Sequence, residues 1–173
     1  MLSAIVLATD AKTPLAASDA IVRTLSALVP AAIEGLLRDV TLAGLMGGEL
    51  PHIADHAGCM LIESEDARSV LREALAAARG PNILVIRAGR APEAGYIEEI
   101  ADLLAGRGAA ERGALLRDRP ETFLSRTFPG LAPVAGVIST REALMKLGAT
   151  TLASLARRAS PSVTLRVRAR RVD

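Results

Sequence analysis

The chain has 173 residues, enough for one domain with a well-packed core. Half of the residues are apolar but only three are aromatic, which excludes stacking of bases or sugars on rings as the main mode of recognition. Lys and Arg together number 21 and Asp and Glu number 19, so the overall charge gives no reason to expect a nucleic-acid partner.

The N-terminal residues read as a first strand. Leu2–Ala8 is apolar, has no basic residue before it and is followed by Thr9-Asp10, which is atypical of a signal peptide. No apolar run reaches the length of a membrane span. Cys59 is the single cysteine, so an internal disulfide is excluded. We therefore expect a cytoplasmic location and no transmembrane segment.

Strands and helices then alternate. Thr13-Pro14 begins a helix in the expected way, and apolar residues recur at helical spacing as far as Val29. Pro30 is expected to end the helix, and the alternative is a further turn through Ile33, Leu36 and Leu37. Further strands are predicted at residues 40–45, 59–62 and 83–86, and further helices at 50–57, 67–79 and 94–104. This alternation is typical of an α/β fold in three layers, a mostly parallel sheet with helices on both faces.

The pattern changes in the last third of the chain. Residues 115–126 mix charged and apolar side chains without a clear period. A strand is predicted at 134–138, and helices at 140–147 and 152–159. Residues 163–170 alternate strictly, which predicts an edge strand with arginines on its exposed face. No repeat or linker interrupts the chain, so we expect a single domain over residues 1–173.

The corner after the fourth strand is expected to matter most for function. The apolar run 83–86 is bounded by Gly80-Pro81 and Gly89, as in a strand buried on both faces. Open α/β sheets bind ligands outside the carboxyl ends of their parallel strands. The polar residues that follow this strand, Arg87 and Arg90, therefore lie where a ligand is expected.

Several segments, in their order and spacing, carry a family resemblance. They are residues 3–7 with Thr9-Asp10, residues 38–44, residues 76–86, Pro92-x-x-Gly95-Tyr96 with the acidic helix after it, and residues 136–148. Together they resemble the family 2 glycosyltransferases, nucleotide-diphospho-sugar transferases of the GT-A fold. The resemblance implies a nucleotide-binding half in residues 1–105 and a truncated acceptor-side half in residues 106–173.

The resemblance also implies a site for a nucleotide-sugar at the carboxyl ends of the first, second and fourth strands. The matching nucleotide- or diphosphate-binding positions are Thr9, Asp10, Gly44, Arg87, Gly89 and Arg90. Other interpretations remain for some of them. Asp10 also fits a turn or helix cap, and Arg87 and Arg90 also fit solvated loop arginines.

The chain departs from the family where the family's chemistry lies. Arg87-Ala88-Gly89 stands where the family has Asp-x-Asp, whose carboxylates hold a divalent metal; guanidinium would repel that ion, so we expect no metal cofactor. Gly44 stands where an Asp contacts the base. Residues 149–172, where the family places its catalytic base, contain no Asp or Glu, so no catalytic residue is assigned.

Two functions remain open. In the first, a glycosyltransferase-like domain binds a nucleotide-sugar, with Arg87 and Arg90 supplying the charge that a metal would supply. In the second, a non-catalytic binding or regulatory module has lost the reaction and uses a basic C-terminal edge. The arginines of that edge, which would meet an acidic partner or an anionic surface or else only prevent strand pairing, are Arg166, Arg168, Arg170 and Arg171.

Overall fold

The structure, a computed structural model, describes residues 1–9, 14–106, 113–159 and 163–172. The strands in these ranges are β1 (Leu2–Ala8), β2 (Leu37–Leu45), β3 (Met60–Ser64), β4 (Asn82–Arg87), β5 (Arg90–Pro92), β6 (Ala114–Asp118), β7 (Val134–Thr140) and β8 (Val163–Arg171). The helices are α1 (Pro14–Ile33), α2 (Leu50–Ala57), α3 (Ala67–Ala77), α4 (Tyr96–Ala105), α5 (Phe123–Thr127), α6 (Arg141–Lys146) and α7 (Leu152–Arg158), and a 3-10 turn, Pro129–Leu131, follows α5.

One sheet contains all of the described strands, in the order β3-β2-β1-β4-β7-β6-β8-β5. β3, β2, β1 and β4 are parallel to one another, and β8 is parallel to β6. β7 is antiparallel to both of its neighbours, β4 and β6, and β5 is antiparallel to β8. As a result β1, β2, β4, β6 and β8 all end at the same edge of the sheet, called the carboxyl edge below.

The helices form a layer on each face of the sheet. On one face α1, α2 and α4 bury apolar side chains against the sheet, and on the other face α3, α6 and α7 do so. β4 contributes to both cores, because Leu84 and Ile86 point to the first and Ile83 and Val85 to the second, all fully buried. The predicted three-layer, mostly parallel α/β fold is confirmed. None of the described helices combines the length and the apolar character needed to cross a membrane.

The sheet curls at its carboxyl edge. β4 and β8 are separated by two strands, yet the backbone N–H of Val172, directly after β8, donates at 3.1 Å to the carbonyl of Gly89, two residues after the end of β4. β5 then runs back along the end of β8, with Arg90 opposite Arg171. The curl therefore brings the segments that follow β4 and β8 into direct contact.

The end of α1 follows the alternative in which a further turn comes after Pro30, and a strand forms where the sequence has no clear period. α1 continues through Pro30 to Ile33, because Leu28 and Ala31 on either side of Pro30 are buried in the core. Pro30 removes only the hydrogen bond to the carbonyl of Ser26, a residue on the exposed side where water can replace it. The strand β6 forms within the segment for which the sequence predicted no regular element.

The prediction that β8 is an edge strand is wrong for the end of the strand. β5 pairs with β8 along Ala169–Arg171 and takes the edge position. In the part of β8 that precedes the residues paired with β5, the backbone N–H groups of Arg166 and Val167 donate to the carboxylate of Glu99, at 2.6 and 2.9 Å. Arg166, Arg170 and Arg171 are exposed, whereas Arg168 is only partly exposed. The predicted basic stripe is thus interrupted, and an acidic side chain lies at its start.

Candidate functional site

The ends of β1, β2 and β4 bring three of the predicted binding positions together. Gly44 lies opposite Ala8 in the pairing of β2 with β1, and Arg87 lies opposite Leu7 in the pairing of β4 with β1. Thr9 follows Ala8 directly and is half-buried. Thr9, Gly44 and Arg87 therefore share the carboxyl edge, where α/β sheets bind ligands. Asp10 lies outside the described residues.

Gly44 has a packing role at this edge. A Cβ atom at Gly44 would lie 2.6 Å from Cδ1 of Leu50, the buried first residue of α2, and 3.4 Å from Cβ of Ala8. The space that a side chain would occupy here is filled by Leu50. A side chain at Gly44 would therefore require the Leu50 side chain to shift.

The turn from β4 to β5 is fixed by a buried threonine of α1. Thr24, fully buried, accepts hydrogen bonds at Oγ1 from the backbone N–H groups of Gly89 and Arg90, at 2.9 and 3.2 Å. Its hydroxyl donates in turn to the carbonyl of Ala20 at 2.9 Å. Gly89 has a φ of 81°, a left-handed conformation that glycine adopts without strain. These two backbone N–H groups are consequently engaged within the protein.

Arg90 is also held by its side chain. Its Nε lies 2.7 Å from Oδ1 of Asp118, with the two side chains 17% and 12% exposed, and its Nη1 donates to the carbonyl of Gly89 at 2.9 Å. Burial raises the pKa of the Asp118 carboxyl above its usual value, although the hydrogen bond and charge of Arg90 and the charge of Arg87 act in the opposite direction. Arg90 thus neutralises a largely buried carboxylate, and Arg87 lies close enough to influence that carboxylate.

Two further arginines lie toward the same edge. Arg117 of β6 is opposite Arg168 of β8 in the pairing of these strands, so their side chains leave the sheet on the same face. Nε of Arg117 and Nη1 of Arg168 are buried and have no hydrogen-bond partner among the described residues. Arg117 also donates through Nη1 to the carbonyl of Ala132 at 2.7 Å. Buried donors of this kind are rare in proteins and are usually met by a water molecule or an anion.

A cavity of about 440 Å³ lies against the Arg90–Asp118 ion pair. Both charged and apolar side chains line it. The charged ones include Arg90, Asp118, Arg119, Glu121 and Arg171, and the apolar ones include Leu124 and Leu131. A larger, mostly apolar cavity of about 730 Å³ lies between α1 and α2 at the opposite ends of β2 and β3, away from the predicted binding positions. Among the predicted binding positions in the described ranges, Arg90 lines the smaller cavity.

The residues of the β4–β5 turn do not suit a divalent metal. Such an ion requires oxygen ligands, and the side chains of Arg87, Ala88 and Gly89 offer none. The neighbouring carboxylate, Asp118, is paired with Arg90. Elsewhere in the described ranges, no three His, Cys, Asp or Glu residues come together as metal ligands.

Sequence reasoning missed Thr24 and Asp118. Thr24 could have been found, because it lies on the helix face formed by Ile21 and Leu28, and a hydroxyl on an apolar face usually has a buried partner. Asp118 gave no such signal. It ends a short strand in a segment without a period, and its partner Arg90 lies 28 residues away.

The comparisons with known proteins identify the fold. No family model and no curated protein sequence matches the chain. Among solved structures, glucosyl-3-phosphoglycerate synthase from Mycobacterium tuberculosis, in complex with Mn²⁺, UDP and phosphoglyceric acid, matches 95% of this chain and 67% of its own, with a TM-score of 0.58 and 16% identity. The chain thus has the GT-A, nucleotide-diphospho-sugar transferase-like fold.

Two further structures support this assignment. The 4-diphosphocytidyl-2C-methyl-D-erythritol synthase from Anaerococcus prevotii matches 95% of this chain and 88% of its own, with a TM-score of 0.67 and 10% identity. A structure described only as a mycobacterial protein matches 99% of this chain and 65% of its own, with a TM-score of 0.62 and 17% identity. The chain spans about two thirds of the length of the mycobacterial structures that it matches.

Proposed function

We propose that this chain is a nucleotide-sugar-binding domain that holds the diphosphate with arginine instead of a metal ion and does not transfer the sugar. The observation that carries the proposal is the position of Arg87. It ends β4 at the carboxyl edge, opposite Leu7 of β1. Gly44 lies on the other side of β1, opposite Ala8, and Thr9 follows Ala8. A guanidinium group there offers fixed positive charge and N–H donors that match phosphate oxygens.

The surroundings of Arg87 support an anionic ligand. Arg90 is neutralised by Asp118, but Arg117 and Arg168 add positive charge toward the same edge. The buried N–H groups of these two arginines lack partners within the described part of the chain. A site with more guanidinium than carboxylate groups has a positive potential that favours a diphosphate.

The proposal that the sugar is not transferred rests on the lack of an available carboxylate, among the described residues of the site, to act as the catalytic base. Transfer to a hydroxyl acceptor needs a base within hydrogen-bonding reach of that hydroxyl. Asp118, the largely buried carboxylate near Arg87, already accepts a hydrogen bond from Arg90. Residues 149–172 contain no Asp or Glu. In our proposal the domain therefore binds its nucleotide-sugar without turning it over.

Calorimetry with a panel of uridine, guanosine and cytidine diphosphate-sugars tests this proposal. We expect binding of at least one of them in EDTA, with no gain when MnCl₂ replaces EDTA. We also expect no release of the nucleoside diphosphate over hours, measured by chromatography. Binding that requires Mn²⁺, release of the nucleoside diphosphate at a steady rate, or no binding of any nucleotide would each contradict the proposal.

A further inference from the structure

The short helix α5 has an inverted burial pattern. Its buried residue is Ser125, 5% exposed, whereas Phe123 and Leu124 beside it are 81% and 64% exposed. Phe128 and Leu131, in the segment that follows, are 58% and 66% exposed. A surface helix ordinarily buries its apolar residues and exposes its polar ones. We call Phe123, Leu124, Phe128 and Leu131 the α5 patch.

The composition of the chain makes this placement unusual. Phe123 and Phe128 are its only two phenylalanines, and the core is built from aliphatic residues with Tyr96. Large aromatic side chains normally contribute most to burial. Clusters of exposed apolar residues often mark surfaces that contact a membrane, another protein or a ligand.

Hydrogen bonds hold the α5 patch in this orientation. Thr122 and Ser125 form a capping box at the start of α5. The backbone N–H of Phe128 donates to the carbonyl of Leu124, and that of Leu131 donates to the carbonyl of Phe128, both at 2.8 Å. The apolar side chains are therefore exposed on a hydrogen-bonded stretch of backbone and not at a frayed helix end.

The charges beside the α5 patch are mainly positive. Between Arg119 and Leu131 the chain carries two exposed arginines, Arg119 and Arg126, and one carboxylate, Glu121. Arg119 also forms an ion pair with Glu93, with 3.7 Å between Nη1 and Oε1. Arg171 is exposed as well and lines the 440 Å³ cavity together with Leu124 and Leu131. Exposed apolar side chains flanked by arginines are typical of segments that lie in the interface of an anionic bilayer.

We propose that the α5 patch is a docking surface for an anionic lipid bilayer. Phe123, Leu124, Phe128 and Leu131 enter the interfacial region, and the adjacent arginines contact the lipid phosphates. Because Leu124 and Leu131 also line the cavity at the carboxyl edge, docking places that cavity against the bilayer. This proposal does not depend on nucleotide binding.

Sedimentation of the full chain with vesicles tests the apolar contribution. The vesicles consist of phosphatidylcholine alone or of phosphatidylcholine and phosphatidylglycerol in equal amounts. We expect binding to the second kind, and a reduction of more than about tenfold in F123S/F128S, since each phenylalanine contributes a large apolar area. The matched control is V29S/I33S, which changes two exposed apolar residues of α1 that are 51% and 80% exposed and should leave binding unchanged.

A second pair of variants tests the charge. R119Q/R126Q should weaken binding to the phosphatidylglycerol vesicles, whereas R68Q/R72Q, which changes two exposed arginines of α3, should not. Circular dichroism melts of all four variants check that the fold is retained, which we expect because the changed residues are exposed. These results would support the bilayer as the partner.

Several results would overturn the proposal. These are absence of binding to phosphatidylglycerol vesicles, equal binding to phosphatidylcholine alone, or binding that F123S/F128S leaves intact. Self-association of the wild-type chain that F123S/F128S abolishes, without vesicle binding, would assign the α5 patch to a second copy of the chain. Analytical ultracentrifugation without vesicles detects that outcome.

Discussion

Oγ1 of Thr24 accepts a hydrogen bond from the backbone N–H of Gly89 at 2.9 Å, across 65 residues of sequence. The same oxygen accepts the N–H of Arg90 at 3.2 Å. One buried hydroxyl thus joins α1 to the turn that follows β4. The position of this turn, and with it the position of Arg87, depends on a residue far away in the sequence.

Replacing Thr24 with valine should therefore destabilise the fold. Valine has the same shape but no hydroxyl, so two N–H groups lose their acceptor, and a buried unsatisfied donor costs about 1–3 kcal/mol. We expect a loss of about 2–3 kcal/mol in the free energy of unfolding, measured by urea denaturation. T24S keeps the hydroxyl and should retain most of the stability. Equal stability of T24V and the wild type would show that these hydrogen bonds contribute nothing.

G44A should lower the free energy of unfolding unless the side chain of Leu50 is shortened as well. The added Cβ would lie 2.6 Å from Cδ1 of Leu50, and such overpacking costs about 1–3 kcal/mol. L50A should cost about 2–5 kcal/mol by itself, because it leaves a cavity. In G44A/L50A the methyl group partly fills that cavity, so the double variant should lose less stability than the sum of the two single variants. Strict additivity in the double-mutant cycle would contradict the contact.

Arg90→Gln should change how stability depends on pH. The folded-state pKa of Asp118 is raised, so the folded protein holds this proton more tightly than the unfolded chain does. That contribution is fully present below the ordinary pKa of an aspartate and is lost as the pH rises through the raised value. R90Q removes the hydrogen bond and the charge that lower this pKa, so the pKa should rise further and stability should decline over a wider pH range.

NMR titration of the Asp118 carboxyl carbon measures this shift, and urea denaturation at several pH values measures its effect on stability. R72Q, which changes an exposed arginine of α3, serves as the control and should leave both unchanged. A pKa of Asp118 that is unchanged or lower in R90Q would show that Arg90 does not stabilise the carboxylate.

The first half of the fold could be predicted because its signals are local. The apolar run of β4 and the glycines around it define a buried strand without reference to any other part of the chain. The capped helix α3 and the Pro51 near the start of α2 are local in the same sense. Alternating elements of this kind permit few arrangements other than a parallel sheet.

The second half and the candidate site could not be predicted, because they depend on distant partners. β6 is only five residues long and ends in two charged residues, and it becomes a strand through its pairing with β7 and β8. The edge position belongs to the three-residue β5, which was too short to recognise and forms only because the sheet curls. Two contacts have no fixed spacing that a sequence pattern would show. They are the ion pair of Arg90 with Asp118 and the hydrogen bonds of the Glu99 carboxylate to the backbone of β8.

The central claim is that Arg87 binds a diphosphate without a metal ion, and titration calorimetry with UDP-glucose in EDTA tests it most directly. We predict that R87A weakens binding by at least about tenfold, equivalent to about 1.4 kcal/mol. R87K keeps the positive charge but loses the planar guanidinium group, so its affinity for UDP-glucose should lie between those of R87A and the wild type. The affinity of R72A should equal that of the wild type. If R87A binds as tightly as the wild type, or if the wild type binds only when Mn²⁺ is added, the claim is wrong.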